Sequence, residues 1–335
     1  MSDLINQLIK INIPFHKKSD VNKFLTSVDQ NKDPVLRVAA WLLSLNLIGF
    51  TEIEKKIDSL TKTYKEICNK NLSDFNNPRS SLGSSEGELI LLDTERTIYW
   101  FKKMASENGI NDEKLLNDAF YSVQRILSVL SKIDSFYHYM QGYDRYVFIT
   151  FLLGLQAMKK INAEIIFAES ISFFFCKELL KIVDVNKFTR DNQFTMKHFS
   201  EIDKEIAYVR PEVYNQLNAM HVSSVHFAMK WEILSFADEH KYSNILLIWD
   251  RIILFRNIYL KYISEMCVAH IRQVSFVDNE FIIQTIQNYR NWNVKDILNY
   301  TDQKINSPKR KTKYLIILGY LLLFVIIIIV RLFFF

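Results

Sequence analysis

The chain has few of the residues that punctuate β-structure. Only seven of its 335 residues are glycine and five are proline, whereas β-sandwiches and α/β barrels need turn residues far more often. Hydrophobic residues nevertheless make up 49% of the chain and aromatic residues 14%, which is ample apolar surface for a large core. The composition predicts a globular all-α protein and excludes a disordered one.

Cysteine is also scarce. Cys68, Cys176 and Cys267 lie roughly a hundred residues apart, with no C-x-x-C pair and no histidine at ligand spacing. We expect them to be buried, reduced thiols in a cytosolic domain. His221 and His226 fit no metal-binding pattern, so we expect them to be structural.

A phosphate-binding loop is missing as well, since neither G-x-x-x-x-G-K-[ST] nor G-x-G-x-x-G occurs in the chain. Two stretches nevertheless supply parts that GTP hydrolysis needs. Residues 90–97 contain Arg96 and residues 139–143 contain Gln141. A guanidinium neutralises charge on the transferred phosphoryl group, and an amide orients the attacking water. We interpret the two side chains as acting on a nucleotide that is bound by a partner protein.

The formal charge of +5 is largely local. Four of the positive charges stand together at Lys309, Arg310, Lys311 and Lys313, and the rest of the chain is nearly neutral. Nucleic acid is therefore not a predicted partner. The N-terminus does not have the apolar segment and cleavage site of a signal peptide.

The C-terminal end contains the longest apolar run. Residues 314–330 carry no charge, and only Arg331 interrupts the apolar residues that follow. As a helix the run would span ~26 Å, close to the ~27 Å core of the endoplasmic reticulum membrane, and Arg331 can reach the far interface. The basic residues before it predict a cytoplasmic location for the preceding domain. We therefore predict a basic linker at 301–313 and a single-pass tail anchor at 314–335, in the endoplasmic reticulum or Golgi membrane; a soluble core helix would instead show a polar face.

The remaining helices and loops are predicted from the spacing of apolar residues and from the residues that start or end helices. Residues 1–33 are predicted to be a helical lead-in, and a helix is predicted to start at Asp33 and Pro34. An amphipathic helix is predicted at 111–130, between the arginine and the glutamine. Asn, Ser, Gly and Pro at 69–88 predict a mobile loop. Further buried helices are predicted at 166–183, 227–236 and 243–260, with a polar loop at 184–205.

Three short motifs stand in order along the chain: R-x-x-x-W at Arg37 and Trp41, I-x-x-D-x-x-R at Ile90, Asp93 and Arg96, and Y-x-Q at Tyr139 and Gln141. Together they resemble the TBC-domain GTPase-activating proteins that act on Rab GTPases. Residues 227–231, followed by Trp249 and Asp250, are similar to the distal helices of that family. The resemblance covers residues 34–300. The sequence after Gln141 and the apolar C-terminal run also resemble a membrane-anchored subgroup that acts on Rabs of the early secretory pathway.

The sequence departs from the family pattern beside the glutamine. His138 stands where most members have glycine, and Tyr143, Asp144 and Arg145 replace the usual Met-Asn-Asp. We expect these changes to affect the choice of substrate more than the chemistry.

The resemblance implies a mechanism with two inserted residues. Arg96 would neutralise charge on the partner's phosphates, and Gln141 would orient the water. GTP and magnesium would belong to the partner, and the chain would have no cofactor of its own. An arginine finger supplies ~10³ to 10⁵ in rate, or about 4 to 7 kcal/mol of barrier.

The other motif residues are predicted to have supporting roles. Asp93 lies one turn from Arg96 and would hold it, or would cap a helix N-terminus. Tyr139 is expected to support the site by packing. Structural roles are predicted for the remaining motif residues, namely Arg37, Trp41, Trp249 and Asp250.

Two other functions remain open. One is a catalytically weak scaffold that binds a Rab on the same membrane. The other is a tail-anchored tethering or fusion protein of the SNARE type, which would need apolar heptads running up to the anchor. The aromatic residues of 271–306 show no such repeat, and Pro308 interrupts before the apolar run.

Overall fold

The computed structural model describes residues 3–274 and 282–307. All regular secondary structure in this part of the chain is helical, which confirms the predicted all-α class. The α-helices are α1 (Asp3–Ile11), α2 (Lys18–Thr26), α3 (Pro34–Ser44), α4 (Ile53–Asn71), α5 (Ser84–Glu107), α6 (Glu113–Ile133), α7 (Tyr143–Ile161), α8 (Ile165–Val183), α9 (Asn186–Arg190), α10 (Asn192–Val209), α11 (Pro211–Ala219), α12 (Val225–Ile233), α13 (Tyr242–Leu254), α14 (Tyr259–Ile271), α15 (Ile282–Asn288) and α16 (Val294–Asn306). Short 3₁₀ helices lie at Pro78–Ser81, Ser135–Tyr137 and Arg256–Ile258.

Helices α7 and α8 form the centre of the fold. Most of their residues are buried, as expected for helices with apolar residues on all sides. They approach closely at Gly154, where a Cβ atom would lie 2.8 Å from the carbonyl oxygen of Ala168. Helices α3, α5 and α6 pack around α7. Helix α5, which carries Arg96, and helix α7, which begins just after Gln141, are therefore packed on the same core.

Helices α14 and α16 pair in the C-terminal half. The hydroxyl of Tyr262 donates to Asp302 Oδ1 at 2.7 Å, and the side-chain amide of Gln273 donates to the Asn293 carbonyl at 3.0 Å. Residues near the start of α14 thus contact residues near the end of α16, and residues after the end of α14 contact the start of α16. The two helices are therefore antiparallel. The C-terminal end of α16 lies at the same end of the pair as the N-terminus of α14.

A buried carboxylate joins the N-terminal and C-terminal halves. Asp250 Oδ1 accepts from Trp41 Nε1 at 2.7 Å and from Arg37 Nε at 3.2 Å, and Asp250 Oδ2 accepts from Lys32 Nζ at 2.8 Å. The neighbouring Trp249 donates from Nε1 to the Ser235 carbonyl at 2.9 Å. The four residues predicted to be structural therefore lie in the interior.

Several predicted helices are confirmed with small changes at their ends. Helix α3 starts at Pro34, and the Asp33 side chain caps it by accepting from the backbone of Val35 at 2.8 Å. The amphipathic helix predicted at 111–130 is α6. The helix predicted at 243–260 is interrupted, because α13 ends at Leu254 and a 3₁₀ turn follows.

The prediction of a loop at 184–205 is wrong. Helices α9 and α10 occupy it, and the Asp191 side chain caps α10 by accepting from Phe194 N at 2.9 Å. Phe199, Ile202 and Ile206 are buried at helical spacing. The polar residues between them hid this stripe in the composition.

Two other predicted boundaries also change. Helix α4 continues to Asn71 and α5 begins at Ser84, so the connection predicted at 69–88 is shorter. Gly87 lies inside α5, where a Cβ atom would lie 3.3 Å from the Arg79 carbonyl oxygen, so it allows close packing. The predicted linker at 301–313 begins as helix, because 301–306 belong to α16.

No helix within residues 3–274 and 282–307 is both apolar enough and long enough to cross a membrane. The anchor predicted at 314–335 and the basic residues of the linker lie outside the described residues.

Candidate functional site

Asp93 and Arg96 lie on successive turns in the middle of α5. The Asp93 side chain is 5% exposed and the Arg96 side chain 64% exposed, and Arg96 Nη2 donates to Asp93 Oδ1. Because α5 begins at Ser84, Asp93 is far from the helix N-terminus. The alternative role of Asp93 as a helix cap is therefore wrong, and the geometry fits the supporting role.

Tyr139 binds the same carboxylate from the other side. Its hydroxyl donates to Asp93 Oδ2 at 2.7 Å, and its backbone N–H donates to Glu86 Oε1 at 2.7 Å. Burial raises the pKa of Tyr139, so the hydroxyl stays protonated and remains a donor. Sequence reasoning assigned Tyr139 to packing and missed this hydrogen bond, since the Y-x-Q spacing does not reveal a contact to α5.

Gln141 lies in the turn that leads into α7. It is exposed, and its side-chain amide has no hydrogen-bond partner within the described residues. Gly142 follows with φ +102°, and a Cβ atom there would lie 2.7 Å from Leu234 Cδ2. Only glycine adopts that backbone readily and leaves room for Leu234. The position of Gln141 at the mouth of a buried helix is confirmed.

Arg96 and Gln141 line one open groove of about 640 Å³. Asp93 lines it beside Arg96, while Met229 and Leu234 contribute apolar surface from α12 and the segment after it. Arg37, Trp41, Trp249 and Asp250 do not line this groove. A guanidinium and an amide thus line the same open space, although one comes from α5 and the other from the turn before α7.

Arg145 connects the two helices beside this groove. Its Nη1 donates to Thr97 Oγ1 on α5 at 2.6 Å, and its Nε donates to Asp238 Oδ1 at 2.9 Å. Its guanidinium also lies 4.7 Å from the centre of the Trp100 ring. Sequence reasoning noted Arg145 only as a departure from the family pattern, and that departure was the available sign of a local role.

The carboxylates around Arg145 have shifted acidities. Burial raises the pKa of Asp144, and Thr97 Oγ1 donates to its Oδ2 at 2.5 Å. Burial would also raise the pKa of Asp238, but the charges of Arg145 and Lys230 outweigh burial and lower it. Asp238 is thus held ionised between two cations, with Lys230 Nζ at 3.1 Å.

Metal and thiol chemistry have no assembled site in the described residues. No group of three or more histidine, cysteine, aspartate or glutamate side chains in 3–274 and 282–307 is arranged to hold a metal ion. The predicted burial of Cys68, Cys176 and Cys267 is confirmed, and all three are free thiols. Burial raises the pKa of Cys68 to about 11.

Comparison with known proteins identifies the family. A family model described as the Rab-GTPase-TBC domain matches residues 34–275. The chain therefore belongs to the Rab-GTPase-TBC domain family. Membership implies a Rab GTPase as partner and activation of that GTPase.

Two solved structures are similar in fold. The Ypt/Rab-GAP domain of Gyp1p has a TM-score of 0.64 at 15% identity, with 89% of this chain and 96% of that chain covered. The Chlamydomonas flagellar RabGAP TBC domain has a TM-score of 0.50 at 12% identity, with 88% and 87% covered. At these identities the likeness concerns the fold alone. No curated protein sequence matches the chain.

Proposed function

We propose that the chain accelerates GTP hydrolysis by a Rab-family GTPase by inserting Arg96 and Gln141 into the partner's nucleotide site. The observation that carries the proposal is the shared groove. The two side chains lie on different elements, yet both line one open space. The partner supplies GTP and magnesium, and this chain supplies the guanidinium and the amide.

The contacts of Arg96 support its role. A charge in a dry interface lowers a barrier most when its position is fixed before the reaction. Asp93 holds the Arg96 guanidinium and is itself held by Tyr139. An arginine so placed contributes ~10³ to 10⁵ in rate, as arginine fingers do.

Gln141 has the freedom that the second role needs. Its amide is exposed at the turn before α7, where it can reach a water molecule on the partner. Gly142 fixes the backbone of that turn. The amide oxygen accepts a hydrogen bond from the water and orients it for attack on the γ-phosphate.

Single-turnover hydrolysis with the full chain against a panel of GTP-loaded Rab GTPases tests the proposal. Arg96→Ala and Gln141→Ala should each slow stimulated hydrolysis by orders of magnitude. Arg290→Ala and Gln193→Ala are matched controls at exposed positions and should leave the rate unchanged. An unchanged rate in both site variants contradicts the mechanism, and binding without stimulation by the natural chain favours a Rab-binding scaffold.

We also propose that residues 314–335 anchor the chain in a membrane of the early secretory pathway, with the helical domain on the cytoplasmic side. The uncharged run at 314–330 and the basic residues before it support this, as does the resemblance to the membrane-anchored subgroup. The full chain should stay with membranes after alkaline extraction and should lose its helical domain to added protease. Removal of 314–335 should release it; release of the full chain by alkali would contradict the anchor.

A further inference from the structure

We infer that a basic surface at the N-terminal end of α14, formed by Lys181, Lys187, Arg256 and Lys261 around Ile258, docks on the anionic face of a lipid bilayer. The inference rests on the proposed membrane attachment. We call these five residues the basic surface.

The basic surface surrounds one open depression of about 470 Å³ between the C-terminal end of α8 and the turn before α14. Four basic side chains line or border it, and Glu178 is the acidic residue among its lining. Lys181 pairs with Glu178 at 2.8 Å and Lys187 with Asp184 at 3.5 Å. In the part of the chain that the structure describes, no carboxylate lies within salt-bridge distance of Arg256 or Lys261. The net charge of the surface is thus positive.

An exposed apolar side chain stands among these cations. Ile258 is 40% exposed and follows Arg256 in the 3₁₀ turn Arg256–Ile258. Basic side chains that flank an exposed aliphatic one match the chemistry of a bilayer interface, where cations meet lipid phosphates and apolar groups enter the acyl boundary.

The path of the chain brings this surface towards the membrane. Helix α16 is antiparallel to α14, as the Tyr262–Asp302 and Gln273–Asn293 contacts together show, so α16 ends at the end of α14 where the basic surface lies. Only seven steps along the chain separate Ser307 from Tyr314, which reach at most ~25 Å when extended. Further basic residues, at 309–313, lie within that stretch.

Tethering makes weak docking effective. The electrostatic attraction acts over ~10 Å at ordinary ionic strength, and the tether holds the surface within a few such lengths. Binding then becomes an intramolecular step at high effective concentration. Each basic side chain near an anionic leaflet raises the docked population roughly fivefold.

The opposite end of α8 provides a control surface. Lys62 and Lys65 line another depression there, together with Ile166 of α8 and with Asp3 and Leu4 of α1. From Ile166 to Ile182 the axis of α8 covers ~24 Å. Each control lysine is near a carboxylate, Asp58 or Glu164. A fluorophore at Ile9, which is 51% exposed on α1, reports on this side.

The test uses the full chain, labelled at Ile258→Cys with an environment-sensitive fluorophore and reconstituted into vesicles. The natural cysteines are buried and should not react. The vesicles contain phosphatidylcholine alone or with about 30% phosphatidylserine as the anionic lipid. In anionic vesicles the label should shift to the blue and be quenched by interfacial spin-labelled lipid. Arg256→Gln with Lys261→Gln should reduce the docked-to-free ratio about 25-fold, as two fivefold steps predict.

The matched double substitution, Lys62→Gln with Lys65→Gln, removes the same charge and should leave the docked-to-free ratio at position 258 unchanged. A label at Ile9→Cys should keep the emission of a fluorophore in water. Equal emission from position 258 in neutral and anionic vesicles overturns the basic surface while leaving the anchor intact. An equal effect of the two double substitutions overturns it too, because only net charge would then matter. Loss of the chain from neutral vesicles under alkaline wash contradicts the attachment at 314–335, and the docking inference with it.

Discussion

The Tyr139 hydroxyl donates to Asp93 Oδ2 at 2.7 Å, and Asp93 Oδ1 accepts from Arg96. Two motifs that are separate in the sequence therefore share one buried carboxylate. The tyrosine belongs to the segment that carries Gln141, and the arginine belongs to α5. The positions of the two proposed catalytic side chains are coupled through Asp93.

Tyr139→Phe removes this coupling without changing the shape of the ring. Hydrogen bonds to charged groups contribute about 1.5 to 3 kcal/mol, so we expect stimulated hydrolysis to slow by about 10- to 100-fold. The loss should appear in kcat rather than in KM, since Tyr139 is buried. Single-turnover rates at saturating chain concentration measure it. Tyr137→Phe, at a buried tyrosine two residues earlier, is the control, and equal rates for the two variants would contradict a role for this hydrogen bond.

Arg145→Met should loosen the connection between α5 and α7. The variant loses the bonds to Thr97 and Asp238, so we expect kcat to fall about tenfold, the loss that corresponds to one charge-assisted hydrogen bond. A double-mutant cycle with Thr97→Val should show coupling of about 0.5 to 3 kcal/mol. Lys230→Met removes the other cation of Asp238 and should have a smaller effect on kcat. Additive effects of the Arg145 and Thr97 substitutions would show that the two act independently.

The exposed face of α5 beside Arg96 should contribute to binding of the GTPase. Leu89, Leu92 and Tyr99 are 51%, 52% and 78% exposed, and with Arg96 they recur at three- and four-residue spacing. Exposed apolar groups on one face mark an interaction surface. Leu92→Ser and Tyr99→Ser should each raise KM about 5- to 30-fold with kcat nearly unchanged, the pattern of uniform binding loss.

Ile9→Ser is the control for this pair of substitutions, because Ile9 is 51% exposed on α1. It should leave both constants unchanged. If the substitutions on α5 lowered kcat and left KM constant, the face would act on catalysis instead of docking.

Gly142→Ala should destabilise the fold in two ways, through backbone strain and through a steric clash, and a second glycine allows the two to be measured separately. The position has φ +102°, and the new Cβ atom would lie 2.7 Å from Leu234 Cδ2. Gly109 has φ +81° with nothing within 4 Å of its Cβ position, so Gly109→Ala measures the backbone cost alone, about 1 kcal/mol. Urea unfolding should show a larger loss for Gly142→Ala, by about 1 to 3 kcal/mol. Equal losses would mean that Leu234 moves aside freely.

Acid should destabilise the fold through two contacting histidines. His240 Nε2 and His270 Nε2 are 2.8 Å apart. Burial lowers the pKa of His270 to about 3 and lowers that of His240, whereas an unfolded histidine titrates near ~6.5. The unfolded chain therefore binds more protons between these values. The free energy of unfolding should therefore decrease as the pH is lowered below about 6.5, by up to about 1.4 kcal/mol per pH unit for each histidine.

Urea unfolding of the natural chain and of His270→Phe at a series of pH values in detergent measures this dependence. The variant should lose less stability on acidification. Burial raises the pKa of the nearby Glu239, which titrates in both proteins and cancels in the difference. His221→Phe, at an exposed position, should keep the natural slope, and parallel curves for all three proteins would contradict the assignment.

Much of this arrangement could be predicted from residue spacing, because the informative signals are local. Asp33 and Pro34 start α3, and the apolar spacing of 111–130 predicts α6. The pairing of Asp93 with Arg96 follows from a three-residue separation on a helix. Hydrogen bonds between distant segments could not be predicted in this way. The contact of Tyr139 with Asp93 and that of Arg145 with Thr97 depend on how α5 packs against α7.

The errors have a physical cause as well. Residues 184–205 are rich in polar side chains, so composition indicated a loop although the stripe through Phe199 and Ile206 is helical. Gly87 suggested a turn, but it lies within α5 and allows that helix to pack on the Arg79 backbone. In both places tertiary packing outweighed local preference.

The buried carboxylate of Asp250 defines where the folding unit begins. Lys32 donates a hydrogen bond to it. Arg251, which follows Asp250 in the chain, donates to the backbone carbonyls of Leu25 and Thr26. These partners precede residue 34, where the family match starts. A fragment cut at that boundary would lose the Lys32 ammonium beside Asp250 and would leave two buried donors of Arg251 without their carbonyl acceptors, which is costly. The stretch before the family-matched region is thus an integral part of the domain, and boundaries for expression belong upstream of α2.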